Sequence, residues 1–560
     1  MKRCPECGRE FDLSMSFCLD DGAELLYGPA SMDEPATAVY PEVPETDEAP
    51  TRTYENDGST EASKPLAAVK GGRTRNLVLA GVAIVTLTAV AIGAYWYYGR
   101  FEPQISSIAV MPFVIESGNP DVDYLSDGVT ETLIGSLSRI PNLNVKARAS
   151  VFRYKGKDAS AQTIGRELGV QAILNGRVVQ RGEALTLYVE LVDVQNENSL
   201  WKNTYNKQMA DLVSLQSDVA RDVAEKLRLR LTGADEKRVA RNYTENSEAY
   251  DAYIKGRYFL NTATEHGYKK ALESFSEAVA RDPSYAPAYV GIADAYITAA
   301  DWYISVNDSL PKAKAATLKA LEMDDTLAEA HATLMWISWM YGNWADVERE
   351  YGRTIELDPR NIWARYGFAA YLIMLGRSSE SEILAKQTLQ IDPLSIEANR
   401  TLGDAYLSGR KYDQAIEQYK KTIEMDPYYW WPHLLLGQTY LYSGRSDEAI
   451  AEMQKARALE RNPMILSNLA YAYAKSGNEQ NARELLSELK TLSRTNYVSP
   501  EFIAMVHNGL GEREAAYEWL EKAFADRSIG LLFLKTSPTW DEFRSDKRFQ
   551  DMMRRVGLPE

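Results

Sequence analysis

Hydrophobic positions recur with helical spacing through the second half of the chain, in units of fixed length. Asp358, Asp392 and Asp426 are each followed by proline and close successive units at a spacing of 34 residues. Each unit reads as two helices, and the proline ends the second helix because it lacks a backbone N–H and clashes with the preceding turn. A helical hairpin of this length cannot bury its apolar face alone. The pattern therefore predicts a solenoid of stacked hairpins with a concave surface.

Small and aromatic residues fall at matching positions of these units. Gly403 and Tyr406 of one unit correspond to Gly437 and Tyr440 of the next. The glycines are expected to bring the two helices of a unit close together, and the tyrosines to fill the space between helices. This pattern resembles the tetratricopeptide repeat, in about eight units, with an insertion in the second unit near residues 301–308. The resemblance implies an α-solenoid that binds other molecules.

Between residues 103 and 233, segments with the two-residue hydrophobic spacing of strands alternate with segments that have helical spacing. This pattern indicates an α+β domain with one small sheet. Alternating hydrophobic positions predict strands at residues 107–113 and 143–147 and a hairpin of residues 170–179 and 185–194. Helical spacing predicts helices at residues 124–139, 161–168 and 212–231.

A second resemblance rests on several segments of the chain. They are SIAVMPF (107–113), YLSDGVTETLIGSLSRI (124–140), RVVQRGEALTLYVELVDV (177–194), LWKNTYN (200–206), EAYDAYIKGRYF (248–259) and PTWDEFRSDKRFQDMMRRVGLP (538–559). They are similar to bacterial proteins that join a domain like the amino-terminal domain of TolB to tetratricopeptide repeats. In relatives of this kind the cytoplasmic module is often a Ser/Thr kinase, a nucleotide cyclase or a winged-helix domain. This chain has a cysteine-containing segment there instead.

An uncharged apolar run of 22 residues, 77–98, is long enough to cross a hydrocarbon core about 30 Å thick. Lys70, Arg73 and Arg75 precede this run, whereas only Arg100 follows it closely. The positive-inside rule therefore predicts a single-pass protein of the bacterial inner membrane, with a cytoplasmic N-terminus and extracytoplasmic repeats. The segment before the run is rich in proline and acidic side chains and ends in basic residues, so it is predicted to be a disordered linker.

All three cysteines lie near the N-terminus. Cys4 and Cys7 form a C-x2-C hook, and Cys18 is followed three positions later by Asp21, where a fourth cysteine is the usual ligand. Two ligands at this spacing can turn onto one metal, so the segment looks like a zinc ribbon and predicts a structural zinc site. Asp20 or water stays open as the fourth ligand, as does the alternative of three free thiols without a metal.

Composition and motifs exclude several classes of function. The chain is 45% hydrophobic and 25% charged, which is ordinary for globular protein, and its formal net charge of −16 disfavours nucleic-acid partners. No phosphate-binding loop, H-E-x-x-H, G-x-S-x-G or protein-kinase motif set occurs in the sequence. His266, His331, His433 and His507 are scattered in the repeats and are interpreted as exposed or packing residues. We therefore expect no enzyme activity and no small-molecule substrate.

The family resemblance places ligand-facing residues on the first helix of each unit, at fixed offsets from a small position. With Met335, Ala369, Gly403 and Gly437 as the small positions, the predicted groove consists of Trp336, Trp339, Trp363, Tyr366, Arg400, Asp404, Trp431 and Leu434. Aromatic side chains are favoured anchors at interfaces, which predicts a protein or peptide partner with an apolar or aromatic segment. The alternative that these rings pack between helices stays open, because tryptophan is highly buried on average.

These patterns predict a multidomain, mainly α protein: a tetratricopeptide-repeat α-solenoid plus a small α+β domain, one transmembrane helix and a small zinc ribbon. The predicted order is zinc ribbon (1–26), linker (27–76), transmembrane helix (77–98), α+β domain (103–233), repeats (248–530) and C-terminal helical cap (531–560). The function hypothesis is a membrane scaffold or adaptor that binds proteins through its repeats and relays a signal to the ribbon. The alternative is a membrane-anchored regulator whose ribbon contacts nucleic acid, although acidic residues outnumber basic ones there, which favours protein.

Overall fold

A computed structural model describes residues 2–3, 10–11, 26–27, 105–116, 123–140, 143–227 and 243–559. The chain divides into two compact units, Met1–Gly93 and Ala94–Glu560. Each unit is considered by itself below.

The first unit contains a small antiparallel sheet. Its strands are β1 (Lys2–Arg3), β2 (Glu10–Phe11) and β3 (Leu26–Tyr27), in the order β2-β1-β3. Lys2 pairs with Phe11 on one side and with Tyr27 on the other. Residues 4–9 and 12–25, between these strands in sequence, lie outside the described residues.

The second unit begins with the α+β domain. Its strands are β4 (Ser107–Val110), β5 (Val114–Ile115), β6 (Asn144–Val145), β7 (Ala172–Arg181), β8 (Ala184–Asp193) and β9 (Ser199–Gln208). Its helices are α1 (Asp123–Ser138), α2 (Arg148–Phe152), α3 (Ala161–Leu168) and α4 (Leu212–Lys226). The sheet has the order β6-β4-β7-β8-β9, with β5 also paired to β7. The small sheet expected from the sequence is present as one sheet, and the expected hairpin and three helices correspond to β7/β8 and to α1, α3 and α4.

Three elements of this domain were not predicted. Strand β5 has only two residues and lies just beyond the predicted strand of residues 107–113. The short helix α2 has only five residues, too few for a hydrophobic period to be visible. Strand β9 is mostly exposed and polar along its length, so it lacks the apolar alternation that identifies a half-buried strand. It is recognisable only through its antiparallel pairing with β8.

Eight consecutive helix pairs follow within residues 243–559. They are α5/α6 (Ser247–Leu260, Glu265–Arg281), α7/α8 (Ala286–Ala299, Val306–Met323), α9/α10 (Ala328–Tyr341, Trp344–Leu357), α11/α12 (Ile362–Met374, Ser378–Ile391), α13/α14 (Ile396–Ser408, Tyr412–Met425), α15/α16 (Trp430–Tyr442, Ser446–Leu459), α17/α18 (Pro463–Lys475, Glu479–Leu492) and α19/α20 (Pro500–Gly509, Arg513–Asp526). First helices contact the first helices of neighbouring pairs, so they form the inner layer of a curved solenoid.

The aspartate that precedes proline between units has its own role in the turn. Its carboxylate accepts a hydrogen bond from the backbone N–H two residues later, at 3.1 Å for Asp358, 3.3 Å for Asp392 and 3.0 Å for Asp426. Such a side-chain turn holds the chain where the helix has ended. Proline therefore stops the second helix, and aspartate shapes the turn into the next unit.

The α+β domain packs on these turns. Ser150 donates to the buried carboxylate of Asp392 at 2.5 Å, and the Lys146 ammonium donates to the Ile391 carbonyl at 3.2 Å. On the first helix pair, the Tyr250 hydroxyl donates to Gln216 of α4 at 2.6 Å. The domain and the solenoid are thus joined by buried polar contacts in one compact unit.

Residues 529–558, here called the C-terminal segment, fold back over the solenoid and end in helix α21 (Lys547–Val556). The segment crosses the carboxyl ends of several first helices. Asp541 pairs with Arg410 at 2.9 Å, Thr539 bonds Tyr442 at 2.6 Å, and the Thr539 carbonyl accepts from Asn508 at 2.7 Å. One end of the inner surface is therefore filled by the chain itself.

The predicted transmembrane helix requires a correction. No helix among the described residues is long and apolar enough to cross a membrane. Helix α8, for example, has 18 residues but carries Asp308, Lys312 and Lys314 in its first half. Residues 77–98, to which the helix was assigned, lie outside the described residues. The fold class is therefore corrected to a mainly α solenoid with an α+β domain, and the predicted inner-membrane location is withdrawn with the helix.

Candidate functional site

The predicted groove residues fall into two groups in the structure. Trp336 and Trp339 on α9 are buried, as are Arg400 on α13 and Leu434 on α15. Trp363 is 40% exposed, whereas Tyr366, Asp404 and Trp431 are half-buried. Some of the predicted groove residues are therefore core residues, whereas others are accessible at the surface.

Two groups of contacting rings lie on the first helices α9, α11 and α15. The ring of Trp336 lies 4.8 Å from Trp363 and 5.2 Å from Tyr366, measured between ring centroids. Trp430 stacks on Trp431 at 5.3 Å with 15° between the ring planes. We call these five residues, Trp336, Trp363, Tyr366, Trp430 and Trp431, the aromatic patch.

Helix starts explain why the exposed part of the patch lies on one side. Trp363 is the second residue of α11, and Trp430 and Trp431 are the first two residues of α15. Asn361 caps α11 by accepting a hydrogen bond from the Ala364 N–H at 2.9 Å. Because each of these helices follows an Asp-Pro turn, their first residues are presented at the same end of the solenoid.

Arg400 joins the two halves of the patch. Its guanidinium carbon lies 4.7 Å from the centre of the Tyr366 ring and 4.9 Å from that of Trp431. The same group donates to Asp404 at 2.5 Å and to Glu397 at 2.8 Å. Guanidinium groups stack on aromatic faces and pair with carboxylates in this way. The patch is thus built on one buried cation held by two carboxylates.

Local electrostatics keep this cation in place. Burial acts to lower the pKa of Arg400, but Tyr366, Asp404 and Glu397 outweigh it and hold the pKa well above its usual value. Asp404 is also bonded by the Tyr419 hydroxyl at 2.7 Å. The positive charge is therefore neutralised inside the chain, and the outer face of the patch is apolar.

Two of the predicted groove residues do not belong to the patch surface. Trp339 turns toward the C-terminal segment, where its ring lies 5.9 Å from Phe533. Leu434 is 1% exposed and packs in the core around α17 and α18. Trp339 is therefore covered by the C-terminal segment, whereas Leu434 is part of the core between helices.

The sequence prediction missed Trp302 and Trp430. Trp302 lies in the connection between α7 and α8 and approaches Trp431 to 4.8 Å. The insertion near residues 301–308 was visible in the sequence, but its target lies more than one hundred residues further along the chain. Trp430 stands next to a predicted groove residue, and the Trp-Trp pair was the available signal.

Three of the four histidines are held by carboxylates within the repeats. His331 pairs with Glu350 at 2.6 Å, His433 with Glu452 at 2.8 Å, and His507 with Glu512 at 2.6 Å. The first two pairs join the first and second helix of one unit. This placement agrees with packing residues, and the absence of enzyme activity stays a prediction.

The predicted zinc ligands, Cys4, Cys7, Cys18 and Asp21, lie outside the described residues. Within the described part of the chain, no cluster of three or more histidine, cysteine or acidic side chains is arranged to hold a metal ion. The zinc site stays a prediction.

Comparisons with known proteins address the two parts of the second unit separately. Residues 104–222 match the model of the HilA/YgeH-like transcriptional regulator, second domain. The resemblance to the amino-terminal domain of TolB, which rests largely on the same region, is not supported by these comparisons. A curated relative, the putative adenylate cyclase 3 of Rhizobium meliloti, is 30% identical over 241 residues. That alignment covers 42% of this chain and 41% of the relative, so the chain spans about two fifths of the relative's length.

Similar solved structures match parts of the chain. A tetratricopeptide-repeat protein of Thermus thermophilus is 23% identical, with 30% of this chain and 91% of that protein covered and a TM-score of 0.28. PilF of Pseudomonas aeruginosa is 20% identical, with 38% and 92% covered and a TM-score of 0.30. Models of the tetratricopeptide repeat match residues 403–444 and 434–497. The chain therefore contains tetratricopeptide repeats, as the 34-residue period predicted.

Proposed function

We propose that this chain is a protein-binding scaffold whose solenoid holds a segment of a partner protein on the aromatic patch. The observation that carries the proposal is the cluster of contacting rings formed by Trp336, Trp363 and Tyr366, with Trp363 40% exposed at its edge. Large aromatic rings contribute much contact area with little loss of side-chain entropy, and they dominate the binding energy of many interfaces.

Charge argues for an apolar protein segment as the ligand. The cation of the patch, Arg400, is buried and already paired with Glu397 and Asp404, so a phosphate would have to compete with two carboxylates for it. The formal net charge of −16 acts against nucleic acid over longer distances. An apolar or aromatic peptide segment meets neither obstacle.

The α+β domain supports this role by fixing the solenoid. Its Ser150 and Lys146 bond the turn that precedes α13, the helix that carries Arg400. Repeats contact only their neighbours, so a solenoid is free to flex unless something bridges several of them. We propose that the docked domain holds the curvature that brings the rings together.

The named relatives set limits on this proposal. The matched region of the HilA/YgeH-like regulators is their second domain, and the chain covers 41% of the putative adenylate cyclase. We propose binding rather than catalysis for the described residues.

A separate proposal concerns the N-terminal cysteines. We propose that Cys4, Cys7, Cys18 and Asp21 hold one structural zinc ion. The donor set, three thiolates and one carboxylate, suits tetrahedral zinc, and strands β1, β2 and β3 pair at the ends of the two segments that contain these residues. The zinc content of the purified full chain should be one ion per chain, and a Cys7→Ser variant should lose it. Equal zinc content in both proteins contradicts the site.

Photo-crosslinking tests the proposed binding surface. We would replace Trp363 with p-benzoyl-L-phenylalanine and, as a matched control, Tyr188 on β8, which is 38% exposed. Irradiation in the native host should join a defined protein to position 363 and not to position 188. The same adducts at both positions, or none at position 363, contradict the proposal.

The affinity of the crosslinked protein for the chain then shows whether it binds at Trp363 or was only close to it during irradiation. With the crosslinked protein purified, Trp363→Ala should weaken its binding by about thirtyfold, as expected when an aromatic anchor worth roughly 2 kcal/mol is removed. Tyr188→Ala should leave the affinity unchanged. Equal effects of the two substitutions mean that the patch is not the binding surface.

A further inference from the structure

The connection between α7 and α8, residues 300–305, is an insertion that reaches across the solenoid; we call it the clasp loop. It connects the second helix pair to parts of the chain that are far away in sequence. Asp301 adopts a left-handed backbone conformation, with φ of 63°. Such a conformation is uncommon for a residue other than glycine and is retained where surrounding contacts enforce it.

The contacts that hold the clasp loop are specific. The Asp301 carboxylate accepts hydrogen bonds from the Tyr497 hydroxyl at 2.8 Å and from the Ile529 N–H at 2.7 Å. Just after the loop, the Asn307 side chain donates to the Ala525 carbonyl at 2.9 Å. The loop is therefore fastened to the last helix pair and to the residues that flank this pair in sequence.

Trp302 at the centre of this loop is seated on the aromatic patch. Its ring lies 4.8 Å from Trp431 and 5.7 Å from Trp430. Trp431 is the ring whose other contact is the guanidinium of Arg400. The chain thus places one of its own indoles on the end of the patch that α15 contributes.

We propose that Trp302 is an internal ligand of the aromatic patch: it holds the position that an aromatic side chain of a partner takes, and the partner displaces it. This inference rests on the proposed function and names the chemistry of the partner at that site. The argument is that the ring pair of Trp430 and Trp431 already accepts an indole in the folded chain. A partner segment with a tryptophan or similar ring reproduces that contact.

An internal ligand lowers the affinity for an external one. A tethered group competes at an effective concentration set by its connection, so external binding is weakened by the fraction of time that the tethered group is bound. Removing Trp302 should therefore strengthen binding of an external indole. This outcome is opposite to that expected if Trp302 were itself part of the binding surface.

The test uses the full chain and N-acetyl-L-tryptophanamide as the probe. Trp302→Ala should bind the probe about tenfold more tightly than the wild type, by titration calorimetry. The double variant Trp302→Ala with Trp431→Ala should lose the gain. Tyr303→Ala is the matched control, because Tyr303 belongs to the same loop but stacks on Tyr268 at 5.6 Å, and it should behave as the wild type. Trp302→Leu, which keeps apolar packing in the loop, should give a smaller gain of the same sign.

Several outcomes overturn the inference. The inference is wrong if wild type, Trp302→Ala and Trp302→Leu bind the probe with equal affinity. It is also wrong if the double variant Trp302→Ala with Trp431→Ala still binds the probe more tightly than the wild type. With the crosslinked protein as ligand, Trp302→Ala should raise the affinity, whereas Trp363→Ala lowers it. If Trp363→Ala weakens binding and Trp302→Ala does not strengthen it, the proposed function stands and the internal ligand is wrong. If Trp363→Ala has no effect, the proposed function fails, whatever the probe shows.

Discussion

Asp301 and Ile529 are joined by a hydrogen bond of 2.7 Å, from the Ile529 N–H to the Asp301 carboxylate, across 228 positions of the chain. Around this bond lie Tyr497, whose hydroxyl oxygen is 2.8 Å from the Asp301 carboxyl and 2.6 Å from the Asp526 carboxyl, and the buried carboxyl of Glu501. The indole of Trp540 hydrogen-bonds to Glu501. The seam between the clasp loop and the last helix pair is thus built from three carboxyl groups with few compensating cations.

Stability of this seam should fall as the pH rises. Burial raises the pKa of Asp301 to about 6 and that of Glu501 to about 8, and it also raises the pKa of Asp526. A carboxyl whose pKa is higher in the folded chain binds more protons there, so its stabilisation is present at low pH and is lost as the pH rises through the folded value. We expect the urea midpoint to be higher at pH 5 than at pH 8.5, with a difference in free energy of unfolding on the order of 3 kcal/mol.

The variant Glu501→Gln checks the origin of this dependence. Glutamine has a similar shape but does not titrate, so this variant lacks the carboxyl that loses its proton at the highest pH. The difference between the urea midpoints at pH 5 and pH 8.5 should therefore become smaller. Asp426→Asn, which changes a turn carboxylate outside the seam, should leave it unchanged. A wild-type midpoint that is equal at pH 5 and pH 8.5 contradicts the prediction.

Local pattern predicted the helix pairs, whereas contacts between distant parts of the chain were beyond it. The 34-residue period and the small residues at Gly403 and Gly437 identified the units because each signal lies within one hairpin. The clasp loop was visible only as an insertion, since nothing in its own sequence names Trp430 and Trp431 as its neighbours. The burial of Trp339 was also not predictable from its local sequence, because it depends on where the C-terminal segment folds.

Packing of the α+β domain on the solenoid should depend on the turn aspartate Asp392 and not on the equivalent Asp426. Asp392→Ala removes both the turn hydrogen bond and the buried bond from Ser150, whereas Asp426→Ala removes only a turn bond of 3.0 Å. A buried donor left without its acceptor costs about 1–3 kcal/mol in addition. We expect Asp392→Ala to lower the urea midpoint clearly more than Asp426→Ala.

Hydrogen exchange locates this effect. Amides of β6 and α2, which precede and contain Ser150, should exchange faster in Asp392→Ala and at the wild-type rate in Asp426→Ala. Equal protection of α2 in both variants would mean that the bond between Ser150 and Asp392 does not hold the α+β domain on the solenoid.

Trp336 and Trp363 should respond differently to truncation, although their rings are 4.8 Å apart. Trp336 is 5% exposed, and its indole N–H has no acceptor among the described residues, so its contribution is packing. Trp336→Ala should therefore cost about 3–5 kcal/mol and lower the melting temperature strongly. Trp363→Ala should leave the melting temperature within a few degrees of the wild type while it weakens partner binding. Similar melting temperatures for the two variants would place Trp336 on the surface rather than in the core.

Two glycines within helices of the repeats should give opposite results when alanine replaces them. A methyl group at Gly403 on α13 would lie 2.5 Å from a ring carbon of Tyr419, whose side chain is fully buried, so the ring cannot move without disturbing its bond to Asp404. Overpacking of this kind costs about 1–3 kcal/mol. Gly352 on α10 is exposed and has no atom within 4 Å of the added methyl, so alanine should stabilise the helix by about 0.5–1 kcal/mol. Thermal unfolding of the two variants and the wild type measures whether each substitution raises or lowers stability. Because Tyr419 hydrogen-bonds to Asp404, which in turn holds Arg400, Gly403→Ala should also weaken partner binding. Gly352→Ala should leave partner binding unchanged. A stabilised Gly403→Ala variant would show that close approach of α13 and α14 is not what the glycine provides.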